Sequence, residues 1–276
     1  MKRMMHLTRT LPVWLFFCLF AGGTAVAQQF DHTHRLWDGL LHEHVVMINQ
    51  GRASQVDYAA FLQDRPVLQR YLAQLSAVNE AVFAGWSKPE QLAFLINAYN
   101  AFTVELILTR YPKLDSIKDL GSFLRSPWKK EFVPLLGQKR SLDDIEHGLI
   151  RNPGDYNEPR IHFAVNCASI GCPGLLNEAF VAEKLDQQLE AVTRAFLQDR
   201  TRNRFNASTG DLEISKIFDW YTEDFERGWG GWHSLNHFLV HYADSLTDNA
   251  QEKMAIATGN FKVRYLDYDW KLNHKK

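Results

Sequence analysis

The segment Phe94-Leu95-Ile96-Asn97-Ala98-Tyr99-Asn100-Ala101-Phe102 is apolar on nearly every side of a helix, interrupted only by its two amides. Such a helix has no face to give to water, so the rest of the chain has to be arranged around it. Its limits are legible. Ser87-Lys88-Pro89-Glu90 predicts a start with Ser87 as the cap and Pro89 and Glu90 in the first turn; the run Gln91 to Arg110 continues it and Tyr111-Pro112 ends it. Buried amides must be hydrogen-bonded, so Asn97 and Asn100 are expected chiefly to fasten a neighbouring loop, with service to an oxyanion as their second use.

Leu36 to Ile48 and Tyr58 to Leu75 space their apolar residues by three and four, which predicts amphipathic helices divided by the turn Asn49-Gln50-Gly51. Glu131 to Leu142, with Gly137-Gln138 at its centre, predicts a hairpin. Ser141 to Asp144 predicts a helix start that carries Ile145, Glu146 and His147. Arg160 to Asn166 reads as a strand leading into the loop Cys167-Ala168-Ser169-Ile170-Gly171-Cys172-Pro173. A helix over Glu178 to Gln198, a strand over Leu212 to Ile214, helices near 216 to 226 and 233 to 246, and a closing strand near Lys262 to Tyr268 complete the order. Helix clusters with a few short strands and no βαβ alternation predict a mainly helical α+β fold.

The chain of 276 residues has 31 Lys and Arg against 32 Asp and Glu, so there is no basic field to hold a nucleic acid. Lys2, Arg3 and Arg9, the apolar run Leu11 to Leu19 and the small residues Ala25-Val26-Ala27 predict a signal peptide over residues 1–27. The run is shorter than the roughly 20 residues that span hydrocarbon. Its removal would discard Cys18 and leave residues 28–276, mildly acidic, periplasmic or secreted, with no later membrane span and monomeric. Cys167 and Cys172 would then sit where disulfides persist.

Three readings compete for that Cys-x4-Cys loop. A disulfide closes it readily and, by chain entropy, contributes about 2 kcal/mol, bracing the loop more than the domain. Alternatively one sulfur is a nucleophile: Cys172 as an N-cap before Pro173, or Cys167 where a strand gives way to a loop. His147 or His162 would be its base, with Glu146 or Asp144 orienting the imidazole. His162 and Cys167 face opposite ways on one uninterrupted strand, so they meet only if the strand bends or ends first. The third reading, a metal held by both thiolates and either histidine, lacks the usual second ligand pair. The histidines His233, His237 and His241, and those between His32 and His44, read as ordinary packing and solvation. Trp220-Tyr221 with Asp224, and Tyr268-Asp269-Trp270, read as core aromatics satisfied by acids or as the wall of a ligand groove.

The stretches FLINAYN (94–100), SLDDIEHGLIR (141–151), RIHFAVNCASIGCP (160–173), WYTEDF (220–225) and YLDYDWKLN (265–273) resemble the domain of unknown function 547 family. The resemblance implies a single domain from about Leu36 to Asn273. It also links the chain to plant and animal proteins that carry a glutaredoxin-like domain, which points toward thiol chemistry; no such second domain is read here.

These observations lead to an expected thiol-dependent hydrolase or acyl-transfer enzyme. Its candidate residues are Cys172, Cys167, His147, His162, Glu146, Asn97 and Asn100. No cofactor is expected, and the ligand would be a peptide, glycan or small molecule. The rival from another class is a noncatalytic envelope binding or structural protein with a Cys167–Cys172 disulfide; between them lies a thiol–disulfide redox protein.

Overall fold

A computed structural model describes residues 29–122 and 125–275, so the signal-peptide expectation lies outside the described residues. Helix α1 (Arg35–His44) leads into the hairpin β1 (Val45–Ile48) and β2 (Ala53–Val56), then α2 (Tyr58–Gln63), α3 (Arg65–Ala77), α4 (Glu80–Ala84) and α5 (Lys88–Leu108). A second hairpin, β3 (Val133–Leu135) and β4 (Gln138–Arg140), precedes a π-helix (Asp144–Ile150) and a 3-10 turn (Pro159–Phe163). The remainder holds α6 (Leu185–Leu197), β5 (Arg204–Asn206), β6 (Asp211–Ile214), α7 (Ile217–Trp220), α8 (Thr222–Phe225), α9 (Leu235–His241), α10 (Ala243–Leu246), α11 (Ala250–Ala257) and β7 (Lys262–Tyr265). The fold is α+β and mainly helical. Strand β6 pairs antiparallel with β5 and parallel with β7.

Helix α5 is the axis of the molecule. Ser87 and Glu90 form a reciprocal capping box, Ser87 N–H donating to Glu90 Oε2 at 2.8 Å and Glu90 N–H to Ser87 Oγ at 3.4 Å. From Gln91 to Val104 every residue is buried, with α2, α3 and the π-helix packed around it. The hydrophobic cluster surrounding it takes residues from Trp37 near one end of the chain to Leu272 near the other. Phe163, Phe196, Phe218, Phe225 and Phe238 close a second aromatic layer, with Phe163 5.2 Å from Phe196 and Phe225 4.8 Å from Phe238.

Several expectations change here: the helix expected from Glu178 begins only at Leu185, and the one expected over Tyr58 to Leu75 is two helices divided at Asp64. Residues 45–48 are strand rather than helix, because the turn at Asn49–Gly51 folds Val45 onto Val56 and Ile48 onto Ala53. Residues 160–166 are not a strand. Pro159 opens a 3-10 turn, Glu158 caps it by accepting from Arg160 N–H at 3.1 Å, and the Arg160 guanidinium is held by Glu158 and Asp186 at 2.7 and 2.6 Å. The apolar run that read as a strand is instead buried on both sides, a pattern that periodicity cannot assign.

Candidate functional site

The cysteine loop is built against the C-terminal segment. Ile170 N–H donates to Lys271 C=O and Gly171 N–H to Asp269 C=O, both at 2.8 Å. Gly171 permits this approach: a Cβ there would lie 3.0 Å from the Asp269 backbone and from the Tyr268 ring. Ala168 turns the loop at a φ of 61°, in the left-handed region that a residue with a Cβ seldom occupies. Behind it, Asn166 accepts from Ala168 N–H at 2.9 Å and donates to Pro173 C=O at 2.7 Å. The Arg202 guanidinium lies beneath, donating to the carbonyls of Cys172 and Arg52 and pairing with Asp199 at 2.7 Å.

This frame brings the two sulfurs together. They are free thiols with Sγ atoms 2.7 Å apart, beyond the roughly 2.05 Å of a disulfide bond. Cys172 is buried and its sulfur accepts the Cys167 backbone N–H at 2.9 Å. Cys167 is half-buried, with Ser169 Oγ at 3.2 Å and Tyr268 Oη at 3.1 Å from its sulfur. The hydrogen bond from Cys172 lowers the Cys167 thiol against the opposing effect of burial, with Ser169 and Tyr268 adding to it. Burial pushes the Cys172 thiol up. The pair is therefore asymmetric: one sulfur inclined to ionise, the other to keep its proton. Cys172 is not an N-cap, because no helix begins at Pro173.

Both sulfurs line a cavity of about 270 Å³, together with Glu146, His147, His162, Tyr221 and Tyr268. Glu146 and His147 arrive on the π-helix, whose wide turn is seen where Arg151 N–H donates five residues back to Glu146 C=O at 2.9 Å. Such turns are frequent at functional sites. Glu146 is buried, and the nearby carboxylate, after burial itself, holds the Tyr221 hydroxyl up. His162 is buried under the Tyr221 ring, centroids 3.9 Å apart, and donates from Nε2 to Asp224 Oδ2 at 2.6 Å. Its Nδ1 has no partner. Asp224 is also gripped by Arg151 and Arg227; although burial opposes it, His162 and Arg151 hold its carboxyl well below the usual range.

The loop, the π-helix and His162 thus meet at one cavity, but no imidazole is hydrogen-bonded to either sulfur. His162 turns to Asp224, and His147 interacts with Asp143 and Arg151. His162 stands on a 3-10 turn and not on a strand, and this allows His162 and Cys167 to face the same space. Nor does either histidine join the thiols as a metal ligand. Among the described residues the one close group of this kind is Glu43, His44 and Asp64, elsewhere in the molecule.

Asn97 and Asn100 stand outside the cavity lining. Asn97 donates to Phe180 C=O at 2.7 Å and accepts from Phe180 N–H at 3.1 Å. Asn100 donates to Ala164 C=O at 2.9 Å and accepts from Asn166 N–H at 2.8 Å. Each amide thus spends one donor and one acceptor on backbone outside the cavity lining, which is the fastening use expected of it.

Residues 83–197 match the model of a family described as protein of unknown function, DUF547. The chain carries a DUF547 domain. The DUF547 match takes in α5, the π-helix, His162 and both cysteines, while Tyr221, Asp224 and Tyr268 lie past its end. No curated protein and no solved structure matches the chain. The sequence marks Tyr221, Asp224 and Tyr268 as aromatic-and-acid motifs without attaching them to the thiols. Asn166 and Ser169 are not singled out by it; their signal is a short polar side chain close to a cysteine in a loop that must turn sharply.

Two buried imidazoles make the protein acid-sensitive. Burial, with His32 adding to it, lowers His34 to about 3, and burial also lowers His162 despite Asp224. In both cases the unfolded ring takes a proton near pH 6.5 that the folded ring refuses. The unfolded chain then binds more protons, so stability is full above that pH and declines below it, the His34 share down to about 3. Urea unfolding between about pH 7 and pH 4 is expected to show this decline, and His34→Gln to flatten it. An equally steep decline in the variant would contradict the assignment.

Proposed function

We propose that Cys167 and Cys172 form a thiol–disulfide exchange centre in an exported protein. The observation that carries this reading is the contact of two free sulfurs at the wall of an accessible cavity, with neither sulfur bonded to an imidazole. The Cys167 thiolate attacks one sulfur of a substrate disulfide, forming a mixed disulfide and expelling the other substrate sulfur, which takes up a proton. Cys172 then gives up its proton and attacks Cys167 Sγ, releasing the second substrate thiol and closing the Cys167–Cys172 disulfide. The substrate disulfide gains two electrons and the cysteine pair loses two. With a substrate dithiol the same steps run backwards. The lowered Cys167 suits the attacking role and the buried, raised Cys172 the resolving role. The apolar run Leu11 to Leu19 and Ala25-Val26-Ala27 support export to the periplasm or beyond, where such chemistry has substrates.

The test is a redox titration in glutathione buffers with mass-spectrometric mapping of alkylated cysteines. The expected result is a two-electron interconversion of dithiol and disulfide. Cys172→Ser should accumulate a mixed disulfide with glutathione at Cys167, and Cys167→Ser should accumulate none. A pair that stays reduced in every buffer defeats the proposal. The hydrolase or acyl-transfer reading draws on a different observation, the unpartnered His162 Nδ1 on the same cavity. It replaces the first if Cys172→Ser turns over an activated thioester while His162→Gln does not.

A further inference from the structure

The cavity wall beyond the sulfurs is an aromatic surface. Trp220 stacks on Trp270 at 5.6 Å, Tyr268 lies 4.9 Å from Trp220 and 4.5 Å from Trp270, and Trp128 meets the Trp270 edge at 5.8 Å. Trp220 remains 43% exposed, so the surface runs from solvent inward to Tyr268, whose hydroxyl touches Cys167. One of these rings already holds a cation: Lys118 Nζ sits 3.6 Å from the Trp270 centroid, and Lys118 is not among the cavity residues.

At the inner end lies Glu146, 5% exposed and lining the cavity, with no arginine, lysine or histidine within ion-pairing distance among the described residues. The basic groups around it are committed elsewhere, Arg151 and His162 to Asp224 and His147 to Asp143. Arg151 and His162 act on Glu146 only from a distance and the Tyr221 hydroxyl beside it is neutral, so no cation touches this buried carboxyl. One in contact would stabilise it, and electron-rich ring faces attract cations. An anionic ligand would meet both features unfavourably, and an apolar one would strip water from Glu146 without replacing it. A cation satisfies both. The cavity volume of about 270 Å³ falls just below the roughly 300–1,000 Å³ of sites for drug-sized ligands, which suits one long side chain.

We infer that the cavity selects polypeptide substrates by binding a lysine or arginine side chain next to the reacting cysteine, the charged head at Glu146 and the stem along Trp220 and Tyr268. This rests on the reading of the cavity as the substrate site of the thiol pair. The binding test is made independent of exchange by using the full chain with Cys167→Ser and Cys172→Ser. Capped peptides of identical sequence except for one lysine, norleucine or glutamate are titrated by calorimetry. The lysyl peptide is expected to bind at least about tenfold more tightly than the norleucyl one, and the glutamyl peptide most weakly. Glu146→Gln should bring the lysyl-to-norleucyl ratio close to one, and Trp220→Ala should weaken the lysyl peptide severalfold. Equal affinities for lysyl and norleucyl peptides, or a preference that survives Glu146→Gln, would overturn the inference. Neither result bears on the glutathione titration, so failure of the cation site and failure of the exchange centre are separately visible.

Discussion

Replacing Asp224 by alanine is expected to lower the unfolding free energy by about 3 kcal/mol, read from the urea midpoint at an unchanged slope. The carboxylate is 5% exposed and is where four interactions converge. Oδ2 accepts from Arg151 Nε at 2.5 Å and from His162 at 2.6 Å; Oδ1 accepts from Arg151 Nη2 at 3.2 Å and pairs with Arg227 Nη2 at 2.9 Å. Removing it leaves two guanidiniums and a buried imidazole facing one another. Breaking a buried pair from one side typically costs about 3–5 kcal/mol. The lower figure applies because the Arg151 and Arg227 side chains keep 15% and 28% exposure and can take up water. The effect has a pH signature. A carboxyl held below its ordinary value of 3.8 stabilises the fold above that pH and loses its contribution only as the pH falls further, so the deficit of the variant should persist across neutral pH and shrink in strong acid. A deficit under about 1 kcal/mol at neutral pH would show that solvent, not Asp224, balances these cations.

Asp224 also marks the boundary of what could be read in the chain. Features specified within a few residues are legible: the Ser87 and Glu90 capping box, the hairpin around Gly137, whose turn falls at Leu136-Gly137, one residue before the expected Gly137-Gln138, and the π-helix residues as a helical segment. The position of the cysteine loop beside Glu146, His147 and His162 was anticipated from chemistry, since few other residues in the chain combine titration with a turn. What failed was decided by contacts distant in sequence. Arg160 to Asn166 looks like a strand until Asp186 and Glu190 pin its guanidinium. Cys172 looks like a cap until the C-terminal segment claims the loop and Cys167 N–H claims its sulfur. His162 looks free to turn either nitrogen toward sulfur until α8 presents Asp224 to its Nε2. In each case a local pattern offers a polar group several uses, and packing selects one of them.

The amide helix allows that selection to be tested directly. Asn97 and Asn100 sit one turn apart on α5, both buried, and each satisfies one backbone N–H and one backbone C=O. Alanine at either position strands two buried backbone groups, which should cost about 2–6 kcal/mol at one to three for each group. The two variants are thus expected to be similarly unstable, yet they release different parts of the chain. Asn97 holds Phe180, on the approach to α6, whereas Asn100 holds Ala164 and Asn166, and Asn166 in turn supports Ala168 and Pro173, the residues that follow Cys167 and Cys172. Under conditions where both remain folded, the pH midpoint for alkylation of Cys167 should rise toward the ordinary 9.0 in Asn100→Ala, because the loop no longer holds Cys172, Ser169 and Tyr268 around that sulfur. It should stay where it is in Asn97→Ala. If both variants shift the midpoint equally, the thiols respond to general loosening of the core; if neither does, the loop is held by its C-terminal contacts alone. Only an Asn100-specific shift makes this amide the link through which a buried helix sets the reactivity of the cysteine pair.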